Sequence, residues 1–336
     1  MPTVAGDAPE PDEAAGAASG GPDLTGADTA PDPAPDPAAQ LFAEAAPETV
    51  PPSDLPLPSD EDIDRWIYAY LRHAPLSLTL REINRLIAIE TVATGEGPIL
   101  DVGCGDGFWW MLRDQDRREV YGIDISAREI AQARTRINAA LSDVSRERPF
   151  PDTRFQEIIG NCSLEHVPDI DGALSNLRRA AAPGARLLMF VPTPQWALQG
   201  KAQQWLLRRY PRVAMSIAGA LNGFFQHWHL YDAKVWRRLL AQHGWRVRAT
   251  YGLGSARSEF LFRLFMPPAF LGFLAKKLTG FYPAKLARYL PDALLAPSAR
   301  LVRWAVSDPL VAADSPTAYE YLIVAEAVPP PPGHAR

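Results

Sequence analysis

Residues 99–107 read ILDVGCGDG, an apolar run broken by Asp101 and closed by glycine at every second position, Gly103, Gly105 and Gly107. A short apolar run ended by glycines suits a buried parallel strand. The glycines after it let backbone approach a ligand that side chains would hold away. A dinucleotide site needs Gly-x-Gly-x-x-Gly, so the spacing here argues against a nicotinamide enzyme. The next apolar run, VYGID, ends in Asp124, 17 residues past Gly107 and 23 past Asp101. A carboxylate at that strand end can accept hydrogen bonds from both hydroxyls of a ribose.

Outward from this stretch, the chain alternates between the two hydrophobic periods. Before it, SDEDIDRWIYAYLRHA and LTLREINRLIAIETVA carry helical spacing, with Ser59 placed to cap the first helix. After it, FWWMLRDQ reads as helix, EVYGIDI as strand and SAREIAQARTRINAAL as helix. RFQEIIGN then reads as strand, DIDGALSNLRRAAA as helix and ARLLMFVP as strand. Two more strands, GWRVRATYGL and TAYEYLIVAEA, follow much later, the first behind the helix AKVWRRLLAQH. Such alternation implies an α/β fold, a parallel sheet with helices on both faces. The domain is expected over residues 59–330. It is interrupted by long excursions at about 192–229 and 255–312, which are read as functional insertions.

Composition divides the chain in two. Residues 1–58 are rich in Pro, Ala and acids and are expected to be a disordered tail. No Lys or Arg precedes Arg65, while residues 1–60 hold twelve acids, so the net charge of -5 is -12 over residues 1–60 and +7 beyond them. A targeting segment would need early basic residues, so a cytoplasmic protein is expected. Cys104 and Cys162 are too few for a disulfide framework or a zinc cluster, and both read as small buried residues.

Four motifs in order, LDVGCGDG, GIDIS, RPFPDTRFQEIIGNCSLEHVPD and NLRRAAAPGARLLMFVP, give the chain its resemblance to a known family. They resemble the class I S-adenosylmethionine-dependent methyltransferases, in particular the broad group acting on small molecules and lipids. The resemblance covers most of residues 95–195 and returns at HLYDAKVWRRLLAQHGWRV and the last strand. It implies a Rossmann-like, doubly wound sheet of seven strands with S-adenosyl-L-methionine over the strand ends. Carried onto this sequence, Asp101, Gly103 and Gly105 would line the methionine end and Asp124 would hold the ribose. Ile125 would lie against adenine, Asp143 would meet its amino group, and Asn161 would stand near the amino acid portion, chiefly through its backbone. A cofactor-binding protein that no longer catalyses is an alternative, although no motif is missing.

Methyl transfer from a sulfonium asks the protein to align the acceptor, exclude water and, for a hydroxyl acceptor, remove a proton. His166, in SLEHVPD just past the fourth strand, is the candidate base, and Glu165 beside it is a candidate pocket residue. His227, His229 and Tyr231, where the first excursion rejoins the core, are further candidates for lining the acceptor pocket. No third ligand accompanies the His227-His229 pair, so no metal is expected.

Residues 192–336 hold 18 Lys and Arg against seven acids, interleaved with apolar and aromatic residues. That balance suits an anionic partner. No nucleic-acid motif is present, and nucleic acid is not expected. The stretch 261–281 is apolar around Pro267 and Pro268 but holds no unbroken run of about 18 apolar residues, so it is not read as a transmembrane helix. It reads as two short amphipathic helices that either cover the sheet or lie peripherally on the anionic inner face of a membrane. The expected activity is methylation of an oxygen, less readily carbon or nitrogen, on a lipid-like or glycolipid-type acceptor. A soluble quinone precursor or polyketide is the alternative.

Overall fold

The computed structural model describes residues 52–113, 116, 119–279, 283–307 and 310–328. The tail expected over residues 1–58 lies outside them, apart from its last residues, where Pro52–Asp54 form a single 3-10 turn. Helices α1 (Asp60–His73) and α2 (Leu76–Val92) precede the sheet. Ser59 caps α1 by accepting from the Asp62 N–H, as its sequence position implied.

The sheet is built from β1 (Ile99–Val102), β2 (Val120–Asp124), β3 (Asn138–Leu141), β4 (Phe155–Asn161) and β5 (Ala181–Pro192), all parallel. Beyond β5 come β6 (Trp245–Leu253), β7 (Leu310–Ala312) and β8 (Glu320–Ala327). The spatial order is β3-β2-β1-β4-β5-β8-β6-β7, with β8 antiparallel to both β5 and β6. Strand order reverses about β1 and β4, which places the switch point where Gly103–Gly107 leave the sheet.

Eight strands stand where seven were expected. β3 occupies the end of a stretch read as one long helix: α3 stops at Ala133 (Ala127–Ala133), because Asn-Ala-Ala-Leu is a short edge strand with no apolar alternation to reveal it. β7 is a three-residue edge strand inside the second insertion. The expected helix after the glycines is only a 3-10 turn, Phe108–Met111, because Trp109 and Trp110 are both buried and must turn into the core.

Strand residues alternate between two cores, one on each face. In β5, Leu188 and Phe190 join the cluster under α1, α2 and α9 (Asp292–Ala305). Leu187, Met189 and Val191 join the cluster under α4 (Ile170–Ala180) and α7 (Ala233–Gln242).

The first insertion holds α5 (Lys201–Arg209) and α6 (Pro211–Phe225). The second opens with α8 (Ala256–Thr279), one helix of 24 residues through both prolines where two short ones were expected. Its packing along α2 replaces what two missing backbone N–H groups withhold. By length and composition, residues 256–275 are apolar enough to cross a membrane.

Gly254, between β6 and α8, has φ 122°, and a Cβ there would stand 2.1 Å from the Tyr319 ring. Gly254→Ala is expected to lower stability by about 2 kcal/mol. Gly219→Ala, whose Cβ meets nothing within 4 Å, should be neutral or slightly stabilising. Urea midpoints check both.

Candidate active site

The turn after β1 is left-handed at Gly103 (φ 78°), Gly105 (φ 55°) and Gly107 (φ 72°). A Cβ on Gly103 would come 2.6 Å from the Ser163 Cβ, so this glycine lets two strand-end loops touch. A Cβ on Gly105 would meet nothing within 4 Å, so the chain leaves open space over that residue. The Gly105 N–H donates to Asp124 Oδ2 at 3.0 Å, and the Ser126 N–H donates to Asp124 Oδ1 at 2.8 Å. The carboxylate is thereby fixed at the end of β2.

Asp101 is buried. Its Oδ2 accepts from the Trp110 indole N–H at 2.6 Å, and its Oδ1 has no partner. Burial raises its pKa to about 7, against the indole N–H and Arg113, which favour the charged form. Ile125 is 79% exposed beside Asp124, an apolar side chain with one face unused. The Ser142 N–H donates to the Asp124 carbonyl at 3.2 Å, which draws the loop after β3 to this edge. Asp143, in that loop, accepts from Ser145 and pairs with Arg146 at 3.1 Å.

Asn161 closes β4. Its Nδ2 donates to Glu82 Oε2 at 3.1 Å, while its Oδ1 is buried without a partner. Cys162 follows in left-handed backbone, φ 48°, and the next turn carries Glu165 and His166. The end of the first insertion is tied to this turn: the N–H groups of Trp228 and His229 both point at the Glu165 carbonyl, at 2.9 and 3.3 Å.

His166 Nδ1 lies 3.2 Å from the Gln226 carbonyl, to which its N–H donates, leaving Nε2 with a free lone pair 3.7 Å from Glu165 Oε1. Burial holds the imidazole below its ordinary pKa, so it is neutral near pH 7. Burial also raises the Glu165 carboxyl to about 8 and lowers His227 to about 4. His227 stacks on His166 with centroids 5.2 Å apart and is packed by Trp196 and Phe225. Glu165, His166 and His227 each offer one ligand atom, all within 4.8 Å of one another, so the residues that group with His227 are two from the turn after β4, and His229 is not among them.

These three side chains open on a cavity of about 250 Å³ that also touches Trp196, Phe262 and Tyr319. His229 and Tyr231 do not line it. His229 Nε2 sits 2.8 Å from the Val167 carbonyl and its Nδ1 3.0 Å from the Tyr231 hydroxyl, so the pair props the Glu165–Val167 turn from behind.

Sequence reasoning missed the polar wall of this cavity, which α2 and β8 supply. Arg85 grips Glu320 in a two-point ion pair, 2.8 Å on each side, and Glu82 at 2.6 Å. Burial would raise Glu320, but Arg85 and Arg81 hold it below the usual carboxylate range. Arg81 lies 3.2 Å over the Tyr319 ring and 3.9 Å over Phe262. Two arginines on one helical face, one turn apart, were the available signal.

A methyltransferase domain model matches residues 69–250, more than half of the chain. The chain belongs to the class I S-adenosylmethionine-dependent methyltransferases. Among curated relatives, a methyltransferase of Mycobacterium bovis is 29% identical over 40% of this chain and 68% of its own length. The demethylmenaquinone methyltransferase of Tropheryma whipplei is 35% identical over 29% of this chain and 42% of its own. The 27-O-demethylrifamycin SV methyltransferase of Amycolatopsis mediterranei is 30% identical over 34% and 47%. The match thus spans less than half of the latter two. Among solved structures, geranyl diphosphate C-methyltransferase from Streptomyces coelicolor is 14% identical over 70% of this chain and 72% of its own, with a TM-score of 0.42.

The cofactor of this methyltransferase is S-adenosylmethionine. The residues present fit it: an orphaned carboxylate oxygen on Asp101, open space over Gly105, an anchored Asp124 and an exposed Ile125 share the carboxyl edge of the sheet.

Asp101 binds a proton more readily folded than unfolded, so its contribution is full below pH 3.8 and is lost as pH rises to about 7. In the cofactor-free methyltransferase, Asp101→Asn is expected to flatten the fall in melting temperature between about pH 4 and 7. An unchanged slope would place the effect elsewhere.

Proposed function

We propose that this methyltransferase moves a methyl group from S-adenosylmethionine to a hydroxyl oxygen of a lipid-like small molecule held in the cavity beside His166. The observation that carries the reading is the free Nε2 of His166, facing a largely apolar cavity at the strand edge where the glycine turn lies.

Bound there, the cofactor supplies a methyl group made electrophilic by its sulfonium. Asp124, whose two oxygens each accept one backbone N–H, would hold the ribose through their remaining lone pairs. Ile125 would cover one adenine face and Asp143 would stand near its amino group. Gly103, Gly105, Asp101 and Asn161 would border the amino acid portion. His166, oriented by the Gln226 carbonyl and stacked on His227, takes the acceptor's hydroxyl proton on Nε2. Trp196, Phe225 and Phe262 exclude water, which keeps the hydroxyl from losing its place to solvent. Arg81, paired with Glu259 and with its Nη1 3.7 Å from Glu320 Oε1, borders the same cavity and keeps that wall polar. A soluble acceptor such as a quinone precursor or polyketide is the second reading, favoured by the named acceptors of the Tropheryma and Amycolatopsis relatives.

Asp124→Ala should weaken S-adenosylmethionine binding by about tenfold or more in calorimetric titration, because both ribose hydroxyls lose their acceptor. His166→Ala should leave that affinity near normal while turnover of a hydroxyl acceptor falls by about 100-fold. A chelator should not slow the enzyme. Turnover lost to EDTA and restored by a divalent ion would replace the base with a metal held by Glu165, His166 and His227.

A further inference from the structure

The exposed face of α8 carries Phe260, Leu264, Pro267, Leu271, Leu274 and Leu278, spaced 4, 3, 4, 3 and 4 residues, which is one stripe along a helix. All six are exposed, Phe260 to 63%, Leu271 to 64% and Leu278 to 79%. The opposite face, with Leu261 buried and Phe265 against the core, already has its partner in α2. A helix apolar on both sides, with only one side covered, needs a second apolar surface.

Helix α6 repeats the pattern. Only Ala214 and Ala218 are buried, while Val213, Met215, Ile217, Phe224 and Phe225 are exposed, and no charge follows Arg212 in the helix. Phe224 meets Phe270 and Phe273 of α8 at centroid distances of 5.1 and 5.6 Å, so the two helices form one continuous apolar surface. Trp205 of α5, 61% exposed, extends it.

The charge around this surface has one sign. Residues 201–231 hold four basic residues and no acid, and residues 260–290 hold five and none. Arg208, Arg209, Arg212, Lys285 and Arg288 of these two segments are exposed. A soluble protein partner of ordinary composition would not select against acid across two separate segments. A layer of acyl chains beneath anionic headgroups matches both the apolar centre and the basic rim.

We propose that α6 and α8 dock this methyltransferase on an anionic bilayer, lying in its interface. Crossing is disfavoured because Glu259 and Arg263 pair with each other, Arg81 pairs with Glu259, and all three sit within the protein. Along α8 and α5 runs a groove of about 1050 Å³ walled by Trp205, Phe260 and Leu264, which opens beside the docking face. The groove and the His166 cavity are linked through Trp196, whose carbonyl accepts from Arg263 at 2.7 Å. The docking surface stands on its own and does not depend on the acceptor assigned above.

Flotation of the full chain through a density gradient tests it, with vesicles of phosphatidylcholine alone or with about 30% phosphatidylglycerol. The parent is expected to float with the anionic vesicles and at least about tenfold less with the neutral ones, and high salt should reduce the difference. Leu271→Glu with Leu274→Glu should abolish flotation at an unchanged melting temperature, and Arg208→Ala with Arg209→Ala should weaken it. A parent that stays soluble with anionic vesicles overturns the proposal, as does glutamate-substituted protein that floats like the parent. A concentration-dependent dimer in sedimentation that the glutamates dissolve, with no flotation by the parent, assigns the surface to a second copy instead.

Discussion

The structure depends on how closely backbone can pass backbone at the carboxyl end of β1. Gly103 allows the turn to touch Ser163, and Gly122 of β2 allows Cys104 to pass, where a Cβ would stand 2.7 Å from its sulfur. Without those approaches, Gly105 could not donate to Asp124, and the loops after β2, β3 and β4 would not converge on one edge. A single backbone constraint thus brings four segments, with Gly105 and Asp124 among them, to one edge of the sheet. The same edge receives the turn after β4, and with it Glu165 and His166.

The cavity beside His166 rests on a different interaction, the buried ion pairs that join α2 to β8. Arg85 and Arg81 neutralise Glu320 and Glu259 in a region with little solvent, and such a network is costly unless every charge is matched. Its position beside the cavity fixes the polar wall opposite His166. The apolar wall comes from the first insertion, through Trp196, Phe225 and His227. One wall is therefore built on α2 and the sheet, and the other is carried by an insertion.

Much of the fold was legible because strands and helices of different period alternate from residue 99 to residue 192. The glycine turn and Asp124 were legible because few residues other than glycine fit left-handed backbone and a carboxylate at the strand end accepts from the N–H groups there. β3 and β7 were hidden because short edge strands lack the alternation that buried strands show. Glu82, Arg81, Arg85 and Glu320 were hidden because the residues that meet across the cavity are about 60 to 240 positions apart and only the folded sheet brings them together. His227 and His229 illustrate the limit, since two residues of one motif serve different ends: the first faces His166, the second props the turn behind it. The prolines in α8 suggested a break that packing on α2 removes.

The central claim is that the open space over Gly105 is where the cofactor lies. Gly105→Ala adds one methyl group to that space without meeting any protein atom within 4 Å. Calorimetric titration of this variant with S-adenosylmethionine, beside its thermal unfolding, tests the claim most directly. Affinity is expected to fall by about tenfold or more while unfolding shifts only by the modest strain of a left-handed alanine, about 1 kcal/mol. Affinity equal to that of the parent would contradict the placement.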